Sequence, residues 1–78
     1  MTTAFLLDET AFHVGERLLD AGGREWRIED ESVDADGQCV LRVRLRFHGE
    51  ELSAAFDMPL DQFVDLARRT RMRPWSMR

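Results

Sequence analysis

Residues 39–48 read CVLRVRLRFH, and this stretch decides the fold of the chain. Its odd positions, from Cys39 to Phe47, are apolar, whereas its even positions from Arg42 to His48 are basic. Alternation with a period of two residues over this length predicts a half-buried β-strand with one apolar and one cationic face. The neighbouring segments can be placed relative to this strand.

The returning strand follows from the same alternation. If Gly49 and Glu50 form a two-residue hairpin turn, apolar residues of the two strands face one another. The predicted apolar pairs are Phe47 with Leu52, Leu45 with Ala54, Val43 with Phe56 and Leu41 with Met58. On the cationic face, Arg42 is predicted opposite Asp57. Because a one-residue slip would move the arginines to the core, this agreement of both faces predicts the register.

An earlier hairpin is predicted from residues 14–20 and 24–30, joined by the glycine-rich turn at residues 21–23. A three-residue loop pairs Leu18 with Trp26. The start of this hairpin, VGERL at residues 14–18, together with its glycine-rich turn resembles SH3-like barrels. That resemblance implies a small, curved, partly open barrel as an alternative to a helix packed on a sheet. The acidic segment 31–38 is predicted to be an exposed hairpin loop, because residues 34–37 read DADG, a turn-like sequence. Its alternating aspartates are not expected to bind calcium, because the closing glutamate and the flanking helices of a calcium-binding loop are missing.

A C-terminal helix is predicted to begin at Pro59, since proline suits the first helical position and Asp61 places negative charge in the first turn. Residues at helical spacing form its apolar stripe: Leu60, Phe63, Val64, Leu66 and Ala67. Pro74 disfavours helical geometry in the residue before it, so we expect the helix to end between Arg71 and Arg73.

These elements predict an α+β fold: a small antiparallel β-meander of four to five strands followed by one C-terminal amphipathic helix. We expect one domain over residues 1–73, in which residues 1–13 are an N-terminal arm or a short strand. Residues 74–78 are expected to form a C-terminal tail.

Size and composition exclude several functional classes. With 78 residues the chain has room for one small core but not for a deep catalytic cleft, and no nucleophile, general base or phosphate-binding glycine motif stands out. We therefore expect no enzymatic activity. Cys39 is the single cysteine and is predicted to be a small buried hydrophobe, while the two histidines lie far apart, so no metal site or cofactor is expected.

The sequence also bears on location and origin. Because no apolar run is long enough to span a bilayer and no secretion signal is visible, we expect a cytoplasmic protein without a membrane partner. All 11 basic residues are arginine, a bias typical of GC-rich bacterial or phage genomes. The net charge of −4 is unevenly divided, since ten of the 15 acidic residues lie within residues 1–37. Such a division serves either internal pairing or a dipolar surface for a partner.

The basic face of the central strand has two interpretations. Arg42, Arg44 and Arg46 span about 13 Å and are extended by His48, a scale compatible with phosphates along a nucleic-acid backbone. Alternatively, they are the positive half of a cross-strand charge ladder, since Asp57 faces Arg42 and the parity of Trp26 places Glu25 and Glu29 on the same face.

The C-terminal segment offers a second group of candidate binding residues: Arg68, Arg69, Arg71, Arg73 and Trp75. Basic charge next to an aromatic ring is typical of single-strand nucleic-acid binders. The alternative is that Trp75 folds back onto an open end of the sheet and buries apolar area there.

We therefore expect a non-enzymatic protein-interaction module, an accessory or regulatory protein whose partner is another protein or a second copy in a homodimer. Uneven charge and an exposed edge strand motivate this expectation. The alternative is a nucleic-acid-binding domain that uses the arginine row and the basic tail.

Overall fold

The computed structural model describes residues 3–7, 10–47, 50–51 and 54–75, and it has the predicted α+β fold. The strands are β1 (Thr3–Leu7), β2 (Thr10–His13), β3 (Arg17–Leu19), β4 (Arg24–Val33), β5 (Cys39–Phe47), β6 (Glu50–Glu51), β7 (Phe56–Pro59) and β8 (Arg73–Pro74), and the helix is α1 (Leu60–Arg69). Strands β1 and β2 form a separate hairpin. The larger sheet has the order β6-β5-β4-β3-β8, and β7 also pairs with β5.

The larger sheet is antiparallel and open. Within the described residues no pairing joins β8 to the β6 and β7 side, so the sheet does not close into a barrel. No helix in this part of the chain is long and apolar enough to span a membrane.

The first predicted hairpin is confirmed in its register, because Leu18 pairs with Trp26. Its first strand is shorter than predicted: it begins at Arg17, since Gly15 adopts a φ of +90° in a turn and donates its amide hydrogen to the Ile28 carbonyl oxygen at 2.7 Å. The three-residue loop closes with Gly23 at a φ of +87°, a conformation that glycine adopts without steric cost.

Asp20 at the start of this loop is the one buried charged residue among the described residues. Its Oδ1 accepts hydrogen bonds from the amides of Gly22 and Arg24, both at 2.9 Å. Its Oδ2 accepts from Arg24 Nε and from Trp26 Nε1, both at 3.0 Å. Four donors therefore satisfy the carboxylate and fix the turn between β3 and β4.

Strands β4 and β5 form the long central hairpin. The exposed loop predicted at residues 31–38 is confirmed only for residues 34–38, because β4 continues to Val33 and residues 31–33 pair with β5. The amide of Asp34 bonds to the Gln38 carbonyl oxygen at 2.9 Å and closes the loop. A bulge between Ile28 and Asp30 shifts the register of β4. Because side chains alternate between faces, the extra residue reverses the alternation beyond it, so that Glu31 rather than Asp30 lies opposite the buried Leu41.

The partner of β5 agrees with the predicted register over β7 and departs from it at the hairpin end. Leu41 pairs with Met58, Arg42 with Asp57 and Val43 with Phe56, as predicted. At the other end Phe47 pairs with Glu50 rather than with Leu52, so Glu50 belongs to a strand and the predicted Gly49-Glu50 turn is wrong. Between the Val43–Phe56 pair and the Phe47–Glu50 pair, the returning segment has two more residues than β5 has. The returning segment is therefore divided into two short strands, β6 and β7. Leu52 and Ser53 themselves lie outside the described residues.

Helix α1 begins at Leu60. Pro59, which was predicted at the first helical position, lies one position before it, at the N-cap. The predicted stripe is confirmed, since Phe63 and Ala67 are buried and Leu60, Val64 and Leu66 pack against the core. The helix ends at Arg69, two residues before the predicted range. The amides of Arg71 and Met72 bond back to the carbonyl oxygens of Arg68 and Ala67 at 3.4 and 2.9 Å, which turns the chain out of the helix before Pro74 is reached.

The hydrophobic core lies on one face of the larger sheet, beneath α1 and the β1–β2 hairpin. Phe5 stacks on Phe12 at a centroid distance of 4.8 Å, and Phe63 meets the edges of Phe5 and Trp26 at 5.7 and 5.9 Å. The remaining buried apolar residues are Leu7, Leu18, Ile28, Leu41, Val43, Ala67 and Met72. Full burial of each large side chain stabilises the fold by about 1.5–3 kcal/mol before opposing entropy is counted. The opposite face of the sheet carries the charged residues.

Candidate functional site

Three arginines form one row across the open face of the sheet. Arg17 on β3 pairs with Arg27 on β4, and Arg27 pairs with Arg44 on β5. Residues paired across strands lie on the same face, and adjacent strands are about 4.8 Å apart, so the row crosses about 10 Å of surface. Like charges directly opposite one another destabilise a sheet, so this row is electrostatically unfavourable by itself.

Two glutamates partly neutralise the row. Glu29 Oε1 accepts a hydrogen bond from Arg44 Nε at 2.7 Å, and Glu25 Oε1 lies 3.8 Å from Arg17 Nη1. Arg27, the middle residue, is exposed and has no ion pair with any residue in the described ranges. The two outer guanidinium groups are therefore held by carboxylates, and the central one is not.

The row forms the floor of a polar surface groove of about 450 Å³, which we call the arginine groove. Its lining residues are Gly15, Arg17, Glu25, Arg27, Glu29, Arg44 and Arg46. Four arginines against two glutamates give the lining a formal charge of +2, in a chain whose net charge is −4. The groove is thus a local site of positive potential on an acidic protein.

The C-terminal segment reaches the edge of the same face. Arg73 on β8 pairs with Leu19 on β3, and Pro74 pairs with Leu18 on the buried side. The next residue, Trp75, lies near the end of the arginine row, with its ring centroid 5.8 Å from Arg17 Cζ. This distance is within the range of a cation–π contact. The structure thus brings two residues of the predicted basic face, Arg44 and Arg46, to the same surface as Arg73 and Trp75 of the C-terminal segment.

Some of the residues predicted from the sequence to bind a partner lie in the groove or at its edge. Arg44 and Arg46 line the groove, and Arg73 and Trp75 lie at its edge. Arg42 pairs with Asp57 at 3.1 Å beyond the groove.

The other predicted site residues do not reach the groove. Arg68 and Arg69 are exposed on α1, which packs on the opposite face of the sheet, and Arg69 pairs with Asp65 at 2.9 Å. Arg71 follows the helix with a φ of +55° and is exposed. His48 lies outside the described residues.

Sequence reasoning missed Arg17 and Arg27 as members of the site. The signal was present in the predicted pairing of Leu18 with Trp26, because the neighbours of these two core residues must face the other side. Each strand contributes only one or two arginines, so the row becomes visible only when three strands are aligned.

Elsewhere, the described residues contain no group of three or more histidine, cysteine, aspartate or glutamate side chains that could hold a metal ion. Cys39 is half-buried rather than fully buried as predicted. Burial, followed by the neighbouring Glu31 carboxylate, raises the pKa of its thiol, which lowers its reactivity near neutral pH.

Comparisons of the chain with protein families, with curated proteins and with solved structures gave no match. The function therefore has to be inferred from the residues of the open face.

Proposed function

We propose that this protein is a non-enzymatic interaction module, a bacterial or phage accessory or regulatory protein of the cytoplasm. In this proposal the arginine groove binds an acidic segment of a partner protein. The observation that carries the proposal is the +2 lining charge of the groove on a chain of net charge −4. Complementary charge of this kind speeds association and orients the partner.

The chemistry of the lining favours binding over catalysis. Arginine does not give up its proton in the physiological range, so the four lining arginines can hold anions but cannot act as general bases. Guanidinium groups also match the planar, two-oxygen geometry of carboxylates. These properties suit recognition of Asp and Glu side chains.

The dimensions favour a short acidic segment over a long polyanion. The row of Arg17, Arg27 and Arg44 crosses only about 10 Å, and the exposed Arg42–Asp57 pair lies beyond it. A nucleic-acid backbone that continued past Arg44 toward Arg42 would meet Asp57, whose charge repels phosphates. An acidic peptide of a few residues would contact the arginines without reaching Asp57.

A matched pair of charge reversals tests this proposal. Arg27→Glu and Arg68→Glu change the net charge equally, and both residues are exposed, but they lie on opposite sides of the sheet. We expect Arg27→Glu to abolish capture of acidic protein partners from a bacterial lysate and binding of an Asp/Glu-rich peptide at low salt. Arg68→Glu should retain both. Equal losses in the two variants would refute the proposal, because only overall charge would then matter.

A second copy of the chain is also a candidate partner, because the exposed loop between β4 and β5 carries Asp34 and Asp36. Analytical ultracentrifugation at low and high salt tests this case. A mass that rises with concentration at low salt, and only with Arg27 intact, would identify self-association.

Nucleic-acid binding is the second candidate function, and the contact between Arg17 and Trp75 favours it. An aromatic ring next to a guanidinium group offers stacking and charge to a single strand. Capture from lysate with and without nuclease separates the two functions, since only nucleic-acid-dependent partners are lost after nuclease treatment. Binding of an oligonucleotide would also fall steeply with salt.

A further inference from the structure

Arg27 occupies the centre of the arginine groove, between two arginines that the fold already holds in place. Glu29 Oε1 accepts a hydrogen bond from Arg44 Nε at 2.7 Å. Glu25 Oε1 lies 3.8 Å from Arg17 Nη1, and the Trp75 ring centroid lies 5.8 Å from Arg17 Cζ. Side chains held in one position lose little further conformational entropy on binding. The outer walls of an anion site are thus formed before a ligand arrives.

The number of guanidinium groups in this site favours a ligand with several acceptor oxygens. The four lining arginines outnumber the two lining glutamates, and Glu51 on β6 pairs with Arg46, so Arg27 is the lining arginine that no carboxylate of the described residues offsets. A carboxylate carries one negative charge and two oxygens, whereas a phosphate monoester carries −1.5 to −2 charges near pH 7 and three strong acceptor oxygens. A group with three acceptor oxygens can engage guanidinium groups from three strands together.

We propose that the arginine groove contains a subsite for a phosphate monoester, supplied by a phosphorylated side chain on the partner segment. Arg27 is the central ligand, and Arg17 and Arg44 flank it on β3 and β5. This inference rests on the proposed function, because it specifies the chemical group that the partner segment presents. Clusters of arginine are a general means of recognising phosphorylated peptides.

Small anions test the subsite without a protein partner. The probes are phenyl phosphate and benzoate, which present the same ring with a dianion or a monoanion, titrated by NMR or calorimetry at low salt. We expect phenyl phosphate to bind at least about tenfold more tightly, since charge-assisted hydrogen bonds to three guanidinium groups add. Equal affinities for the two probes would overturn the proposal.

The variants Arg27→Ala and Arg68→Ala locate the binding. Arg27 has no ion pair in the described part of the chain and lies between two like charges, so its removal should leave the circular dichroism spectrum unchanged and should not lower the thermal unfolding temperature. We expect Arg27→Ala to weaken phenyl phosphate binding by about tenfold or more and Arg68→Ala to have no effect. Equal effects of the two variants would overturn the assignment of the site.

Peptides separate this inference from the proposed function. We expect a peptide with one phosphoserine between acidic residues to bind more tightly than the same peptide with glutamate at that position. If the glutamate peptide binds equally well through Arg27, the phosphate subsite is refuted and the proposed function stands. If phenyl phosphate binds at Arg27 but neither peptide nor any protein partner does, the proposed function and the phosphorylated partner segment are both refuted, and only binding of small phosphate monoesters remains. Tighter binding of a thymidine oligonucleotide than of the phosphopeptide would overturn the inference in favour of nucleic acid.

Discussion

Replacement of Asp20 by asparagine should be among the most destabilising single-atom changes in this protein. The side-chain oxygen of asparagine can keep the two amide hydrogen bonds that Oδ1 accepts, from Gly22 and Arg24. The new NH₂ group, however, replaces Oδ2 and faces two donors, Arg24 Nε and Trp26 Nε1. The indole donor is buried and would lose its partner, at a cost of about 1–3 kcal/mol, and loss of the charged hydrogen bond to Arg24 adds about 1.5–3 kcal/mol before relaxation. Allowing for relaxation, we expect a loss of about 2–4 kcal/mol.

The pH dependence of stability provides a second signature of Asp20. Burial opposes ionisation, but hydrogen bonds from the Trp26 indole and from the Arg24 backbone and guanidinium outweigh it and hold the pKa of this carboxyl below its usual value. Ionised Asp20 therefore stabilises the fold above the unfolded pKa of about 3.9, and this contribution is lost as pH falls through the lower folded pKa. Because asparagine does not titrate, the difference between wild type and Asp20→Asn should be constant above about pH 5 and narrow below about pH 4.

Urea unfolding followed by circular dichroism measures these differences, and Asp34→Asn is the matched control. Asp34 Oδ1 accepts from the amides of Asp36 and Gln38, both at 2.9 Å, in an exposed loop, so asparagine retains both bonds. We expect Asp34→Asn to cost less than about 0.5 kcal/mol, as for most exposed substitutions. If Asp20→Asn costs no more than the control, Oδ2 does not contribute to stability and the reasoning is refuted.

Three further predictions concern other parts of the fold. Arg71→Gly should raise the free energy of unfolding by about 0.5–1 kcal/mol, because Arg71 has a φ of +55°, which glycine adopts without steric cost. As a control, Arg69→Gly inside α1 should lower the free energy of unfolding by about 1 kcal/mol. A lower free energy of unfolding for Arg71→Gly would contradict the assigned helix end. Phe63→Ala should lower the free energy of unfolding in urea by about 3–5 kcal/mol, since Phe63 is fully buried between Phe5 and Trp26. A decrease below about 1.5 kcal/mol would contradict this expectation and show that the core can collapse around the cavity. Native Cys39 should react with iodoacetamide at pH 7.5 about tenfold or more slowly than in urea, because burial raises the pKa of its thiol; equal rates would contradict its position.

The register of β5 and β7 could be predicted because both faces of the strands restrict it. Leu41 and Val43 must be buried and Arg42 must not, so a slip of one residue is excluded. A shift of two residues leaves every side chain on its own face. For that reason the pattern could not distinguish the predicted pairing of Phe47 with Leu52 from the observed pairing with Glu50.

Other features depend on interactions that no local pattern records. The bulge at Glu29 and Asp30 reverses the alternation of β4 within the polar run of residues 29–32, and Val33 beyond it is exposed, so no buried apolar residue after the bulge reveals it. The end of α1 is set by backbone hydrogen bonds to Arg68 and Ala67 and by burial of Met72, rather than by Pro74. The β1–β2 hairpin is stabilised by the contacts of Phe5 with Phe12 and Phe63, and the last of these joins segments far apart in the chain.

The two sequence interpretations of the basic face each apply to different residues. A charge ladder accounts for Arg42 and Arg44, which have carboxylate partners at 3.1 and 2.7 Å. A ladder should alternate in sign across the strands, yet the row through Arg27 contains arginine on all three. That arrangement lowers stability and buries no apolar surface in return, and such departures from the rules of stable folding are expected at functional sites. The binding proposal therefore depends on Arg27, which a search along β5 alone could not reveal, more than on Arg44 or Arg46.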